Sequence, residues 1–299
     1  MAMEDDNNRG LGSLARKASF LHVRALSLAE GMRSGAFRSL YRGQGIEFSG
    51  VREYLYGDDV RAIDWNVTAR MGRPYIKVFE EERELDVFLV IDTSLSMLSG
   101  SGRQTRLEKA LDCASLLTLA SVQNNSSVGA VLFDGKIHFS CAPLAGKDHA
   151  LLLLSHFEKK YEAEEPGSVL DNALLGADRL LKKRSLVMVF SDFRTSGFYA
   201  AFGRLCQKHD VVAARISAPL DEKLPPVGAV PFADIESGYR SVFPTSSPAF
   251  QRAWVRAHYQ RIEIWQRECL RHGGIPLLLS TEKDSFLELS HFFASWELK

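Results

Sequence analysis

No stretch of this chain stays apolar long enough to cross a bilayer, and neither sign of charge prevails: lysine plus arginine number 37, and so do aspartate plus glutamate. The first absence argues against a transmembrane helix. The second removes the whole-molecule field by which proteins hold nucleic acid. Cysteine is scarce as well: Cys113, Cys141, Cys206 and Cys269 form no Cys-x-x-Cys pair. That spacing predicts four reduced and mostly buried thiols rather than a disulfide framework or a zinc knuckle. A phosphate-binding loop is missing too, because Lys109 lies too far beyond Ser99-Gly100-Ser101-Gly102. The start, Met1-Ala2-Met3-Glu4-Asp5-Asp6, lacks the basic and apolar regions of a signal peptide. The expectation is a soluble, cytoplasmic protein.

What the chain does contain is a buried-strand run that ends in oxygen. Val87-Phe88-Leu89-Val90-Ile91 has no polar break, as in a strand covered on both faces of a parallel sheet. Asp92, Ser94 and Ser96 follow at alternate positions. Ligands of open α/β sheets sit beyond the carboxyl ends of the strands, where these side chains fall. A carboxylate and two hydroxyls are hard donors, suited to Mg²⁺, Mn²⁺ or Ca²⁺ rather than zinc. The bland alternative is a capped turn, since Asp and Ser are common between strand and helix. A second run, Leu186-Val187-Met188-Val189-Phe190, also ends in oxygen, at Ser191-Asp192. Two such strands bring two carboxylates to one sheet edge, where they repel unless a cation lies between them. The pair favours a metal site over two unrelated caps.

These residues carry a resemblance. Asp92-Thr93-Ser94-Leu95-Ser96 is similar to the Asp-x-Ser-x-Ser signature of von Willebrand factor A domains, and Asp192 resembles their later aspartate. The resemblance implies a Rossmann-like fold with a metal-ion-dependent adhesion site. In that family a threonine from an intervening loop completes the ligand set. The matching position here is Ser168, in Pro166-Gly167-Ser168, which keeps the hydroxyl. Upstream, Arg42–Phe48, Arg52-Glu53-Tyr54 and Gly57-Asp58-Asp59-Val60-Arg61-Ala62-Ile63-Asp64-Trp65 narrow the likeness. They resemble the bacterial family called domain of unknown function fifty-eight, a von Willebrand A-like group. That resemblance implies a MoxR-type AAA+ ATPase as partner. The implied metal ligands are Asp92, Ser94, Ser96, Ser168 and Asp192, with Mg²⁺ as the first expected ion.

The fold class expected is therefore α/β: a mostly parallel sheet flanked by helices, with an N-terminal helix and a small β-containing subdomain. Residues 1–12 read as a disordered tail, 13–84 as the N-terminal helix and a charged, aromatic segment, and 85–299 as the von Willebrand A-like domain. A proline-punctuated hairpin is inserted at about 219–247.

From Ser13, Leu14, Ala18, Leu21, Ala25, Leu28 and Met32 recur at helical spacing, with Arg16, Lys17 and Arg24 off that face. A helix packed on its own domain is favoured over a basic helix on an anionic membrane, although peripheral contact of that kind stays open. Gly43–Asp64 reads as a charged loop in which Arg52 and Arg61 pair with Asp58 and Asp59 and lock the segment onto the sheet domain. Arg73–Phe79 reads as a strand and Glu80–Glu84 as a solvated turn. Thr105 caps a helix with its core face on Leu107, Ala110, Leu111, Ala114 and Leu117. Val128–Phe133 and Ile137–Cys141 form a hairpin through Asp134-Gly135. Helices follow at 149–161, 168–183 and 198–209, with His156 packed rather than ligating. Val211–Ser217 is a buried strand. Val230–Ile235 and Tyr239–Phe243 make a hairpin grouped with the Gly43–Phe79 segment. A helix from Pro248 to His272, a strand Ile275–Leu279 and a helix Ser285–Trp296 end the chain.

Two functions from different classes fit these residues. One is a metal-dependent binding adaptor that takes a partner's carboxylate and couples the ATPase to a client protein. The other is a metal-dependent hydrolase of phosphates or esters. Hydrolysis needs a nucleophile or base beside the ion. The sequence has no Asp-x-Asp nucleophile motif, no Gly-x-Ser-x-Gly elbow and no histidine in the metal loops. Binding without catalysis is the expectation.

Overall fold

The computed structural model describes residues 24–32, 45–82, 86–159, 167–233 and 240–295. In chain order, helix α1 (24–32) precedes a hairpin of β1 (Gly45–Glu53) and β2 (Tyr75–Glu82), which encloses the short helix α2 (Trp65–Met71). Next come β3 (Asp86–Asp92), α3 (Leu95–Leu98), α4 (Arg106–Gln123), β4 (Ser127–Phe133), β5 (Ile137–Leu144) and α5 (Lys147–Phe157). They are followed by α6 (Leu170–Leu180), β6 (Leu186–Ser191), α7 (Tyr199–Cys206), β7 (Asp210–Ser217) and α8 (Pro219–Glu222). A hairpin of β8 (Ala229–Ala233) and β9 (Arg240–Pro244), then α9 (Pro248–Arg271), β10 (Ile275–Ser280) and α10 (Ser285–Ser295), complete the described chain.

A strand with no polar face must be covered on both sides, and β3 shows it: all seven of its residues are buried. It lies in a six-stranded sheet of order β10-β7-β6-β3-β4-β5, parallel throughout except for the β5 edge. Val87, Leu89 and Ile91 pack with α1, α4, α5 and α10 on one face. Phe88 and Val90 pack with α6, α7 and α9 on the other. Burying each such side chain stabilises by about 1.5–3 kcal/mol, so the two faces together supply the main drive to fold. The observed class is the expected one, a mostly parallel α/β sheet flanked by helices.

The described part of the N-terminal helix agrees with the packed reading. Ala25, Leu28, Ala29 and Met32 are buried against the sheet domain, and Arg24 donates to Asp284 at 2.9 Å. Its first half and the tail at 1–12 lie outside the described residues. Thr105 caps α4 as a full capping box with Glu108. His156 stacks on Phe139 at 3.9 Å, and burial lowers its pKa. All four cysteines are free thiols; burial pushes those of Cys113, Cys206 and Cys269 up to about 12, where they are poor nucleophiles.

Several expectations fail in the charged segment. Gly43–Asp64 is not all loop: Gly45–Glu53 is a strand, and it pairs antiparallel with β2 through a bulge between Phe48 and Gly50. Glu80, Glu81 and Glu82 are not a turn either but strand residues opposite Glu47, Ile46 and Gly45. Sheet pairing satisfies their backbone, and this overrides the poor strand preference of glutamate. Among the described residues the ion pairs of the segment close within it. Arg52 holds Asp58 with two bonds of 2.8 and 2.7 Å, and Arg73 meets Glu53 at 3.1 Å. Asp59 does not pair with the Arg61 guanidinium; it accepts the Arg61 amide, while Asp64 caps α2. The β8–β9 hairpin is a separate two-stranded sheet, with Phe232 and Phe243 against Phe250 and Trp254 of α9.

One buried ion pair ties the last helix to the first crossover. Lys109 is fully buried; its ammonium forms an ion pair with Glu288 at 2.7 Å and donates to the Lys283 carbonyl at 2.8 Å. Removing one partner strands a charge, whereas replacing both with apolar groups does not. Glu288→Ala is expected to lower unfolding stability in urea by about 3–5 kcal/mol, and Lys109→Met/Glu288→Leu by far less. Equal losses in the two variants would show that the pair itself stabilises the fold.

Candidate functional site

In this strand order, β3 is followed by a crossover to β4 on one side, and the chain returns to β6 on the other. The carboxyl ends of β3 and β6 flank that switch point, where ligands of open sheets bind. The structure brings the five sequence-predicted residues to this edge. Asp92 ends β3, and Ser94 and Ser96 lie in the turn that opens α3. Ser168 sits two residues before α6, and Asp192 follows β6 directly. Asp92, Ser94, Ser96 and Asp192 are all buried.

The Asp92 carboxylate is the hub. One oxygen, Oδ1, accepts the Ser94 amide at 3.0 Å. The other, Oδ2, accepts the Ser191 hydroxyl at 2.7 Å and the Ser168 hydroxyl at 3.4 Å. The hydroxyls of Ser94 and Ser96 lie 3.2 Å apart. Burial and then the charge of Asp192 push the Asp92 pKa from its ordinary 3.8 up to about 6; the bonds from Ser191 and Ser94 oppose the rise. Three hydrogen bonds therefore do not offset the loss of water and the neighbouring negative charge.

The loops are held from outside this cluster. Thr93 bonds the Phe133 carbonyl through both its amide, at 2.7 Å, and its hydroxyl, at 2.9 Å. The Asp134 carbonyl accepts the Val169 amide at 2.8 Å, which places the Ser168 loop beside β4. Arg106 reaches the Ser96 carbonyl at 3.1 Å and grips Asp221 with two bonds of 2.7 Å. After β6 the backbone turns sharply at Phe193, whose φ of 51° is rare for an aromatic residue. Phe193 is buried against Phe198 and Trp265. The turn lets the Arg194 amide meet Asp192 Oδ1 at 3.2 Å. The Arg194 guanidinium stands 3.2 Å from Asp192 Oδ2 and bonds Asp221 at 2.8 Å.

Ser191, Arg106, Arg194 and Asp221 were not among the sequence-predicted site residues. Ser191 had a signal, as a hydroxyl at the end of a buried strand directly before Asp192. Asp221 had none, for it stands 115 residues from Arg106.

Among the described residues no three His, Cys, Asp or Glu side chains gather to hold a metal by themselves. The cluster has two carboxylates, and its other donors are serine hydroxyls. That set fits a hard divalent cation: Asp192 Oδ2 is buried without a hydrogen-bond donor, and the Asp92 charge is under-compensated. Arg194 beside Asp192 is the competing cation.

Without a cation, Asp92 binds its proton more tightly when folded than when unfolded. The stability linked to it is full below about pH 4 and is lost as pH rises through 6. At about 1.4 kcal/mol per unit, the loss amounts to about 3 kcal/mol. In EDTA, urea unfolding from pH 4 to 7.5 should show this decline in the wild type and a flatter profile in Asp92→Asn. Parallel profiles would mean that Asp92 carries no such strain.

Comparison with known proteins gives the following. A family profile described as "Protein of unknown function DUF58" matches residues 50–264. "Uncharacterized protein Rv1480" of Mycobacterium tuberculosis is 29% identical over 290 residues, covering 94% of this chain and 89% of that one. "Uncharacterized protein Mb1516" of Mycobacterium bovis matches with the same figures. Among solved structures, an aerotolerance-related membrane protein of Bacteroides fragilis covers 72% of this chain and 98% of its own, at 20% identity and a TM-score of 0.49. The SpRpn10 VWA domain covers 70% and 95%, at 11% identity and a TM-score of 0.41. Among the described residues no helix is long and apolar enough to cross a membrane. With the profile spanning most of its length, this chain belongs to the family described as protein of unknown function DUF58.

Proposed function

We propose that this chain is a protein-interaction module whose sheet edge binds a partner's carboxylate through a divalent cation, Mg²⁺ first. Asp92, Ser94, Ser96, Ser168 and Asp192 would hold the ion. The observation that carries the reading is the buried Asp92 carboxylate, crowded by Asp192 and ringed by serine hydroxyls. Clustered hydroxyls and opposed carboxylates make a good set of hard ligands. A divalent cation supplies an open coordination position for an outside oxygen. The side chains do the rest: Ser191 and the Ser94 amide aim Asp92, Arg106 fixes the Ser96 turn, and Arg194 holds Asp192 in place. The likeness of Asp92–Ser96 to the Asp-x-Ser-x-Ser signature supports the same use. Family resemblance supports a MoxR-type AAA+ ATPase as the partner that this module couples to a client. Hydrolysis of phosphates or esters is the weaker reading, because among the described residues neither Ser94 nor Ser96 bonds a histidine, and the carboxylate beside Ser94 is Asp92, itself a proposed ion ligand.

The test is calorimetric titration of EDTA-treated protein with Mg²⁺ and Mn²⁺, wild type beside Ser94→Ala/Ser96→Ala. Saturable binding in the wild type and at least tenfold weaker binding in the variant are expected. Identical isotherms would sink the reading. Metal-dependent turnover of generic phosphate or ester substrates that vanishes in Asp192→Ala would favour hydrolysis instead.

A further inference from the structure

Behind Asp192, between the carboxyl ends of β6 and β7 and helix α9, lies a second cavity, of about 450 Å³. That is within the range of pockets built for organic ligands and larger than a bare phosphate needs. Its walls are apolar and aromatic, with Phe193, Trp254, Ile264 and Trp265. Three guanidinium groups line it: Arg194, Arg215 and Arg261.

Arg215 is the unusual member. It interrupts a strand whose preceding residues, Val211–Ala214, are all buried. Its guanidinium lies over the Trp265 ring, 5.5 Å from the centroid. Stacking of this kind uses the face of the group and leaves its in-plane N–H edges for a forked acceptor. Among the described residues neither the Arg215 nor the Arg261 guanidinium has a hydrogen bond or an ion pair. Burial lowers the Arg215 pKa, so its charge is held at a cost. The indole N–H groups of Trp254 and Trp265, also in the lining, are buried and unpaired. Buried donors without acceptors are rare in folded proteins. Here both indoles line one cavity together with the half-buried Arg215 and the exposed Arg261, and its two carboxylates, Asp192 and Asp221, also engage Arg194 and Arg106. Three guanidinium groups and two unpaired indole N–H groups face two carboxylates, so the cavity has an excess of donors and of positive charge.

We propose that this cavity is a carboxylate-binding site for a protein partner, taking an acidic side chain between Arg215 and Arg261 and its apolar neighbours against the tryptophans. A carboxylate matches the forked guanidinium edge. Asp192 and Asp221 in the wall disfavour a dianion such as phosphate. The apolar walls ask for a peptide body rather than a free ion. This site needs no cation, so it stands apart from the metal reading even though both include Asp192.

The experiment uses the full chain in EDTA, where no metal contributes. Tryptophan fluorescence and calorimetry follow titration with acetyl-Phe-Glu-Phe-amide, acetyl-Phe-Gln-Phe-amide and inorganic phosphate. The glutamate peptide should bind, with the glutamine peptide and phosphate at least tenfold weaker. Arg215→Met and Arg215→Lys should each lose at least tenfold, the lysine because an ammonium lacks the fork. Arg261→Gln, at an exposed position, tests the site even if the Arg215 variants fail to fold. Asp92→Asn, which removes a proposed cation ligand, should bind the peptide as the wild type does. The proposal is overturned if the wild type binds no peptide, if phosphate or the glutamine peptide binds as well, or if Arg261→Gln and the folded Arg215 variants bind unchanged.

Discussion

Two carboxylates at the ends of two fully buried strands set the terms for this molecule. Asp92 and Asp192 cannot both be comfortable as anions in one dry corner. The surrounding structure supplies what relief it can, through Ser191, the Ser94 amide and the Ser168 hydroxyl for one carboxylate and Arg194 for the other. The same guanidinium reaches on to Asp221, which Arg106 grips from the other side while also holding the Ser96 carbonyl. A chain of charge-assisted bonds thus runs from the serine turn to the short helix α8. Loops that would otherwise be loosely determined are drawn into one arrangement by the need to place donors around negative charge.

The sheet and the primary site were legible for one reason. A strand buried on both faces needs an uninterrupted apolar run, and Val87–Ile91 and Leu186–Phe190 are such runs; the polar residue that ends each one marks the sheet edge. Strand β1 was not legible, because Arg52 and Glu53 lie within it and Gly50 sits at a bulge that breaks the alternation. Strand β2 was legible as far as Phe79; its last three residues are glutamates, a composition that reads as turn until a partner strand is known. Ser191 carries the same signal as Asp192, a polar residue that closes a buried run. Arg106–Asp221 and the arginine cavity were out of reach in principle. They join residues far apart in the chain: Arg215 lies in a run that reads as a buried strand, but nothing local to it shows that Trp265 stacks on it.

The charged segment offers the opposite lesson. Its polar residues look like a functional cluster, yet Asp58, Asp59 and Asp64 are spent on a two-bond arginine pair and two caps. Tyr56 and Trp65, which a core would be expected to claim, are the exposed ones. Specific sequence here encodes the shape of a small appendage, with apolar groups left on its outside.

The strand order has a consequence for how the chain assembles. The first sheet strand to be made, β3, is the central one, and every later strand joins at an outer edge: β4 and β5 on one side, then β6, β7 and β10 on the other. No strand must be inserted between two already paired. If the strands pair in chain order, Asp92 keeps its water while the first half of the sheet forms and loses it only when β6 arrives with Ser191 and Asp192. On that order the electrostatic penalty of the site falls on a late docking step. Acid or a cation should thus act on the closing of β6 against a preformed half-sheet rather than on the collapse that builds that half.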